Sequence, residues 1–241
     1  MSTELAVIVP SRNRPQAVHQ LATSFASTCS SWTSLILVVD EDDQDLEEYR
    51  DAVASVYPTY AAIQLLVQGD GGNMITGCNV GAARALEMTS GAIGFMGDDH
   101  RPRTRGWDRA YIDTLKAKPG IVYGNDLLQG EYLPTQFAVS ARIVENLGFL
   151  APPTLVHLYM DDYWLRMGRL CECVTYLPDV IVEHMHPAAG KVDSDAGYER
   201  VNAAEINQGD RAALNAHMDA FVGRDMDAIL GACAALSGVR G

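Results

Sequence analysis

The sequence lacks any apolar run that approaches the ~18 residues needed to span a membrane. It also lacks the pattern of a secretory signal peptide. Met1–Glu4 is polar, and the apolar run that follows it stops at Pro10. We therefore expect no membrane anchor and a cytoplasmic location.

Basic residues are scarce, with 18 Lys and Arg against 31 Asp and Glu and a net charge of −13. This balance excludes a general electrostatic attraction to nucleic acid or anionic membranes, because phosphate binding depends on Lys and Arg. A local basic site stays open, since arginines cluster at two places: Arg12 and Arg14, and Arg101, Arg103 and Arg105. Cysteine is also scarce. Its five residues are odd in number and lack zinc-site spacing, which is typical of reduced thiols in a cytoplasm.

The first hundred residues alternate between short apolar runs and segments whose apolar residues recur at helical spacing. This alternation predicts a doubly wound parallel sheet with right-handed crossovers. The predicted strands are Leu5–Pro10, Leu35–Val39, Ala62–Val67 and Ala92–Met96, and the predicted helices are Gln16–Phe25, Asp45–Tyr57 and Ile75–Met88.

Acids or arginines follow three of these strands, within Pro10–Arg14, Val39–Asp43 and Gly97–His100. The carboxyl ends of parallel strands meet at one edge of the sheet, where open α/β folds bind their ligands. Asp98 and Asp99 would repel each other there unless a cation lay between them, and a divalent metal holding a phosphate is the usual solution. The alternative is a solvated turn, because Asp is common in turns.

The second half of the chain predicts further helices and strands. A helix over Tyr159–Gly168 carries a second acidic pair, Asp161 and Asp162. The extended segment Val174–His186 ends in two histidines that share one side, because side chains alternate along a strand. The remaining predicted elements are helices Gly106–Lys118, Ala141–Leu147, Glu199–Met218 and Met226–Leu236, and strands Ile121–Gly124 and Phe137–Ser140.

The order of these motifs resembles that of a GT-A fold glycosyltransferase, nearest to the inverting family-2-like enzymes, over Leu5–His186. LAVIVPSRNRP resembles the first strand and loop beside the nucleotide, and VVDEDD resembles the second strand. GGNMITGCNVGAARALEMTSGAIGFMGDD resembles the Asn-Gly helix and the strand that runs into the metal-binding D-x-D motif. DDYWLRMG resembles the acidic pair of the acceptor half, and VIVEHMH resembles the strand that completes the metal site.

The resemblance implies an α/β fold with a mixed, mostly parallel Rossmann-like sheet, flanking helices and C-terminal helices. It implies one domain over residues 1–241. Residues 1–100 would form the nucleotide-sugar-binding half, 101–190 the acceptor half, and 191–241 a loop and the C-terminal helices. Independently of the resemblance, the polar loop Pro187–Gly197 has two glycines and little apolar content, so we expect it to close over the sugar donor.

The same resemblance implies the site residues of an inverting transferase. Asp99 with His184 or His186 would bind Mn²⁺ or Mg²⁺, Asp162 would be the catalytic base, and Asp161 is the second candidate for the base. The residues expected to bind the nucleotide-sugar donor, a UDP-sugar in the first instance, are Pro10, Ser11, Arg12, Arg14, Asp40, Asp70, Asn79 and Asp98. His100 is interpreted as a surface or packing residue.

Two positions depart from the family pattern. Gly97 stands where the D-x-D motif has its first acid, and Cys78 stands where an arginine is often found. The first departure leaves open a catalytically inactive sugar-nucleotide or glycan-binding module, and a nucleotidyltransferase is the other alternative. The acceptor stays open among a glycan, a protein and a modified DNA base, and so does the oligomeric state.

Overall fold

The structure is a computed structural model that describes residues 3–56, 61–69, 72–89, 91–191 and 204–238. In these ranges the strands are β1 Leu5–Pro10, β2 Thr33–Asp40, β3 Ala61–Gln68, β4 Ala92–Phe95, β5 His100–Pro102, β6 Ile121–Asn125, β7 Phe137–Ser140 and β8 Val174–His184. The α-helices are α1 Pro15–Thr28, α2 Leu46–Ala54, α3 Met74–Met88, α4 Trp107–Ala117, α5 Ala141–Leu147, α6 Met160–Leu170 and α7 Ala204–Gly238.

The strands form one mixed sheet in the order β3-β2-β1-β4-β7-β6-β8-β5. Strand β1 pairs in parallel with β2 and β4, and β2 pairs in parallel with β3. Strand β6 is parallel to β8, whereas β7 runs antiparallel to β4 and β6, and β5 runs antiparallel to β8. The predicted α/β class and the mostly parallel, helix-flanked sheet are confirmed.

Alternation along β1 divides the core between the two faces of the sheet. Leu5 and Val7 pack with residues of α1 and α4, and Ala6 and Ile8 pack with residues of α3, α5, α6 and α7. Because both faces are covered, β1 and β2 read as continuous apolar runs. This is why their sequences predict strands so clearly.

The C-terminal part differs from the prediction. Helices over Glu199–Met218 and Met226–Leu236 were expected, but Ala204–Gly238 is one continuous helix, so the predicted break was wrong. Residues 199–203 lie outside the described part of the chain. At residues 219–225, between the two predicted helices, the one buried residue of α7 is the polar Asp225, so no apolar residue marks the buried face there; the buried residues are Asp210, Leu214, His217, Asp225, Ile229 and Ala232.

Strands β5 and β8 also differ from the prediction. Strand β5 was not predicted, because three residues are too few to show a period. Strand β8 ends at His184 rather than His186. No helix in the described ranges, α7 included, is both long and apolar enough to cross a membrane.

Helix α3 packs closely on β1 because Gly81 has no side chain. A Cβ at this position would lie 2.6 Å from Ile8 Cγ2, too close without movement of the helix or strand. We expect Gly81→Ala to lower the free energy of unfolding by ~1–3 kcal/mol, the usual cost of overpacking a core. Denaturant unfolding measures the effect.

Gly223→Ala in α7 is the matched control, because nothing lies within 4 Å of a Cβ built there. This substitution should stabilise the protein by up to ~1 kcal/mol, because Ala favours a helix more than Gly does. Equal effects of the two substitutions would contradict the close packing of α3 on β1.

Candidate active site

Strand pairing brings a carboxylate and two imidazoles together at the edge of the sheet. His100 on β5 stands opposite His184 on β8 in the antiparallel register. The turn between β4 and β5 carries Asp99, whose carbonyl oxygen accepts a hydrogen bond from the Met185 N–H at 2.9 Å. One ligand atom from each of Asp99, His100 and His184 lies within 4.8 Å of the others, which is compact enough for a metal ion.

The two imidazole rings stack with centroids 4.3 Å apart, and each faces one oxygen of Asp99. His184 Nε2 lies 3.2 Å from Asp99 Oδ2, and His100 Nδ1 lies 3.4 Å from Asp99 Oδ1. Burial opposes ionisation of this carboxyl, but the two histidines hold its pKa well below the usual range. Asp99 is therefore an anion at neutral pH.

Asp126 directly follows β6 and lies beside His184. Its Oδ1 accepts hydrogen bonds from three backbone N–H groups, those of Leu128, Gln129 and Gly130, and Thr135 Oγ1 donates to its Oδ2 at 2.8 Å. Burial opposes ionisation of Asp126, but these bonds and His184 lower its pKa. His184 Nδ1 lies 3.8 Å from Asp126 Oδ2.

The position of His184 between two carboxylates determines its protonation. Burial lowers the pKa of His184, but Asp126 and Asp99 outweigh burial and raise it to about 9. His100 differs, since burial and the neighbouring His184 lower its pKa. His100 Nδ1 accepts the Gly97 N–H at 3.0 Å, and its Nε2 lies 3.4 Å from Thr135 Oγ1.

Asp98 faces the loop after β1. Ser11 Oγ donates to its Oδ2 at 2.6 Å, and Arg14 donates to its Oδ1 at 3.2 Å. Burial and the adjacent Asp99 raise the pKa of Asp98 to about 6, although Arg14 and Ser11 counteract part of the rise. Ser11, Arg14 and Asp98 were each predicted to bind the sugar donor, and the structure brings them together.

The buried Arg101 supports the turn that carries both acids. It donates to the carbonyl oxygens of Asp98 and His100 at 2.7 Å each and to Gln20 Oε1 at 2.9 Å. Because it is 6% exposed and bound to backbone, Arg101 belongs to the framework of the site rather than to its open surface.

The outer part of the same edge holds Asp40 in a second polar cluster. Arg12 donates to Asp40 Oδ2 at 2.7 Å, and Gln68 Nε2 donates to Asp40 Oδ1 at 2.6 Å. Arg12 also binds both carboxylate oxygens of Asp42. Asp40 and Arg12 were both predicted to bind the donor, and they form one ion-paired group.

The second acidic pair lies in the first turn of α6, where its two members have different surroundings. Burial and Asp162 raise the pKa of Asp161 to about 6, and the charge of His184 counteracts part of this rise. Burial also raises the pKa of Asp162, but the charges that counteract it belong to Arg166 and Arg211. Asp161 is thus electrostatically linked to the histidine cluster, and Asp162 to arginines of α6 and α7.

The other predicted site residues have varied positions. The His186 ring lies 4.8 Å from that of His184, so the two histidines share one side as predicted. Pro10 ends β1 at the same edge. Asn79 holds α3 to the loop after α5, since its Oδ1 accepts the Leu150 and Ala151 N–H groups and its Nδ2 donates to the Ala151 carbonyl. Asp70 lies outside the described residues, as do residues 192–197 of the loop expected to close over the donor.

Sequence reasoning missed two members of the site. Asp126 directly follows β6, so the rule that polar strand ends meet at one edge could have identified it. His100 directly follows Asp99 but was interpreted as a surface or packing residue. The structure shows that its 2% exposed side chain packs on His184 and also contacts Asp99.

Comparison with known proteins gives no matching family model and no matching curated protein. Solved structures do match. The mannosyltransferase PcManGT from Pyrobaculum calidifontis, in complex with GDP-Man and Mn²⁺, is 13% identical with a TM-score of 0.65, covering 100% of this chain and 76% of its own.

Two further structures are similar to this chain. S. aureus TarS 1-349 in complex with UDP-GlcNAc is 16% identical with a TM-score of 0.54, covering 90% of this chain and 73% of its own. Glucosyl-3-phosphoglycerate synthase from Mycobacterium tuberculosis, in complex with Mg²⁺ and UDP, is 13% identical with a TM-score of 0.54, covering 89% and 79%. At these identities the likeness concerns the fold, and the chain has the GT-A fold.

Proposed function

We propose that this protein is a metal-dependent glycosyltransferase that moves a sugar from a nucleoside diphosphate to an acceptor hydroxyl with inversion. The observation that carries the proposal is the cluster of Asp99, His100 and His184 at one edge of a GT-A sheet, whose His184 charge also acts on the carboxyl of Asp161. The structural neighbours support it, since they are a mannosyltransferase with GDP-Man and Mn²⁺, TarS with UDP-GlcNAc, and glucosyl-3-phosphoglycerate synthase with UDP and Mg²⁺.

The donor set of the cluster fits a divalent metal. Asp99 and His184 offer one oxygen and one nitrogen ligand, a combination that suits Mn²⁺ slightly better than Mg²⁺. Among the described residues, the buried Nδ1 of His184 has no hydrogen-bond partner, and the nearest carboxylate oxygen, Asp126 Oδ2, lies 3.8 Å away. If Nε2 of the neutral ring held a metal, the Nδ1–H would face this oxygen, the usual second partner of a metal-bound histidine. The metal would stabilise negative charge on the leaving diphosphate as a Lewis acid.

The polar groups at the ends of β1 and β2 would hold the sugar donor. Asp40 and Arg12, which bind each other, would contact the base or ribose, and Arg14, which binds Asp98, would contact the donor beside the metal pair. The arginines are ion-paired with Asp40, Asp42 and Asp98, so an incoming diphosphate would compete for guanidinium groups that are already oriented. We keep a UDP-sugar as the first donor to test and a GDP-sugar as the second.

We favour Asp161 over Asp162 as the catalytic base. The Asp162 backbone N–H donates to Asp161 Oδ1 at 2.9 Å and fixes the orientation of this carboxylate. Its raised pKa makes it a stronger base than an ordinary carboxylate, which suits removal of a hydroxyl proton during attack. Asp162, which was first assigned as the base, stays the second candidate, and an attack opposite the leaving group would invert the anomeric centre.

Metal binding tests the cluster directly. We expect Asp99→Asn to weaken Mn²⁺ binding by at least ~10-fold in the presence of UDP or GDP, because the amide removes the anionic ligand. Titration calorimetry measures the change. Asp51→Asn, an exposed substitution on α2, removes the same charge and should leave binding unchanged. Equal Mn²⁺ affinity of the Asp99 variant and the wild type would contradict this metal site.

Substitution of Asp161 should separate activity from stability. In the folded chain the pKa of Asp161 is raised from 3.8 to about 6, so ionisation of this carboxyl destabilises the fold. The free energy of unfolding is therefore higher below pH 4, where the carboxyl is protonated, and this extra stability is lost as the pH rises through 6. Asp161→Asn should therefore raise the Tm of the metal-free protein at pH 7, by roughly 2 °C or more. Calorimetric scans at pH 5 and pH 7 measure the difference.

The same variant should lose sugar transfer, detected as metal-dependent release of UDP from UDP-glucose or of GDP from GDP-mannose with water as acceptor. Wild-type kcat/KM should fall as the pH drops towards 6, and Asp161→Asn should reduce release by ~10²-fold or more. Full release by this variant together with loss in Asp162→Asn would assign the base to Asp162. Tight nucleotide binding without release by the wild type would indicate an inactive binding module.

A further inference from the structure

The chain enters α6 through a strained residue. Tyr159, directly before the helix, has φ of +69°, a left-handed conformation that a tyrosine rarely adopts. Such a conformation persists only where the surroundings hold it, and strain of this kind is common beside functional groups. Asp161 follows two residues later, in the first turn of the helix that begins directly after Tyr159.

Helix α7 supplies one of the contacts that hold this segment. Asp210 is 3% exposed, and its carboxylate accepts hydrogen bonds from three successive backbone N–H groups. Val156 donates to Oδ1 at 2.9 Å, and His157 and Leu158 donate to Oδ2 at 2.8 and 2.7 Å. These N–H groups belong to the residues directly before Tyr159, so one side chain of α7 fixes the backbone that leads into α6.

A second contact from the same turn of α7 holds Tyr159 itself. Its hydroxyl donates to Asn207 Oδ1 at 2.9 Å and accepts from Arg211 Nε at 3.0 Å. Asn207, Asp210 and Arg211 stand at positions i, i+3 and i+4 of one helix, so they share a face. The charge of Arg211 also reaches Asp162.

We propose that Asp210 is a positioning residue for catalysis: by fixing residues 156–158 it holds the start of α6, whose first turn carries the candidate base Asp161. This inference rests on the proposed function. Asp225, a second buried acid of α7, gives the contrast. It accepts from Tyr163 Oη at 3.0 Å and from Arg224, and it lies 2.9 Å from His217 Nε2, so it binds the body of α6 instead of its start.

The test compares three Asp→Asn variants of α7. Asp210→Asn places an amide N–H against a backbone N–H and should lower kcat for metal-dependent UDP or GDP release by ~10-fold or more, with the Kd for UDP or GDP in Mn²⁺ within twofold of wild type. Asp225→Asn should lower Tm with kcat close to wild type. Asp219→Asn, at an exposed position, should change neither.

Two further measurements separate positioning from a loss of folding. Tyr159→Phe removes the hydroxyl that binds Asn207 and Arg211, so it should lower kcat in the same direction but by less. Hydrogen exchange should show faster exchange of the amides of residues 156–158 in Asp210→Asn, with the strands β1 and β2 unchanged.

The outcomes are distinct. An Asp210→Asn variant with wild-type kcat, or one whose kcat and nucleotide affinity fall by the same factor, would overturn the positioning role and leave the proposed function in place. A wild-type protein that neither binds UDP or GDP with Mn²⁺ nor releases them from a sugar nucleotide would overturn both proposals.

Discussion

The pairing of β5 with β8 is the contact on which the candidate site depends. It is short, yet it places His100 opposite His184, and only this register stacks the two rings beside Asp99. The backbone reinforces it, since the His184 N–H donates to the Asp126 carbonyl and the Met185 N–H donates to the Asp99 carbonyl, both at 2.9 Å. A shift of one residue in the pairing of β5 with β8 would turn His184 to the opposite face of the strand and separate it from Asp99 and His100.

This geometry concentrates negative charge at a cost to stability. The raised pKa values of Asp98 and Asp161 show that ionising these buried acids is unfavourable in the folded chain. Arg14 and the buried Arg101 offset part of the charge near Asp98. A bound cation would offset more, and because it would bind the folded chain, it would also stabilise the fold. Relief of the unfavourable ionisation of these acids would therefore strengthen the binding of a metal.

Much of the donor-side architecture could be predicted from the sequence, because β1 to β4 are apolar runs separated by segments with helical spacing. The same reading located Asp99 and Asp161 by their places at element ends. It could not locate β5, since a three-residue strand has no period and its partner β8 lies far along the chain. Asp126 was missed for a smaller reason: the predicted strand stopped at Gly124, and the polar residues after it were not included.

Helix α7 shows where apolar periodicity fails for a physical reason. Its buried face contains Asp210, His217 and Asp225, and Asp225 lies in the predicted break, where no buried apolar residue continues the helical pattern. Buried polar groups are costly unless each is bonded: Asp210 accepts three hydrogen bonds from the loop before α6, and Asp225 accepts one from Tyr163 of α6 and others from Arg224 within α7. Apolar contacts alone would let α7 slide along α6, whereas the hydrogen bonds of Asp210 and Asp225 fix the position of α7 relative to α6.

The placement of α7 has a consequence for how the two halves of the site are built. Its contacts are chiefly with α5 and α6, while the groups around Asp40 and Asp98 are held by β1, β2 and the turn after β4. The candidate base and the candidate donor pocket therefore have separate supports within one sheet edge. We therefore expect substitutions in α7 to affect the surroundings of Asp161 more than those of Arg14 and Ser11, because additivity holds for groups that share no partners.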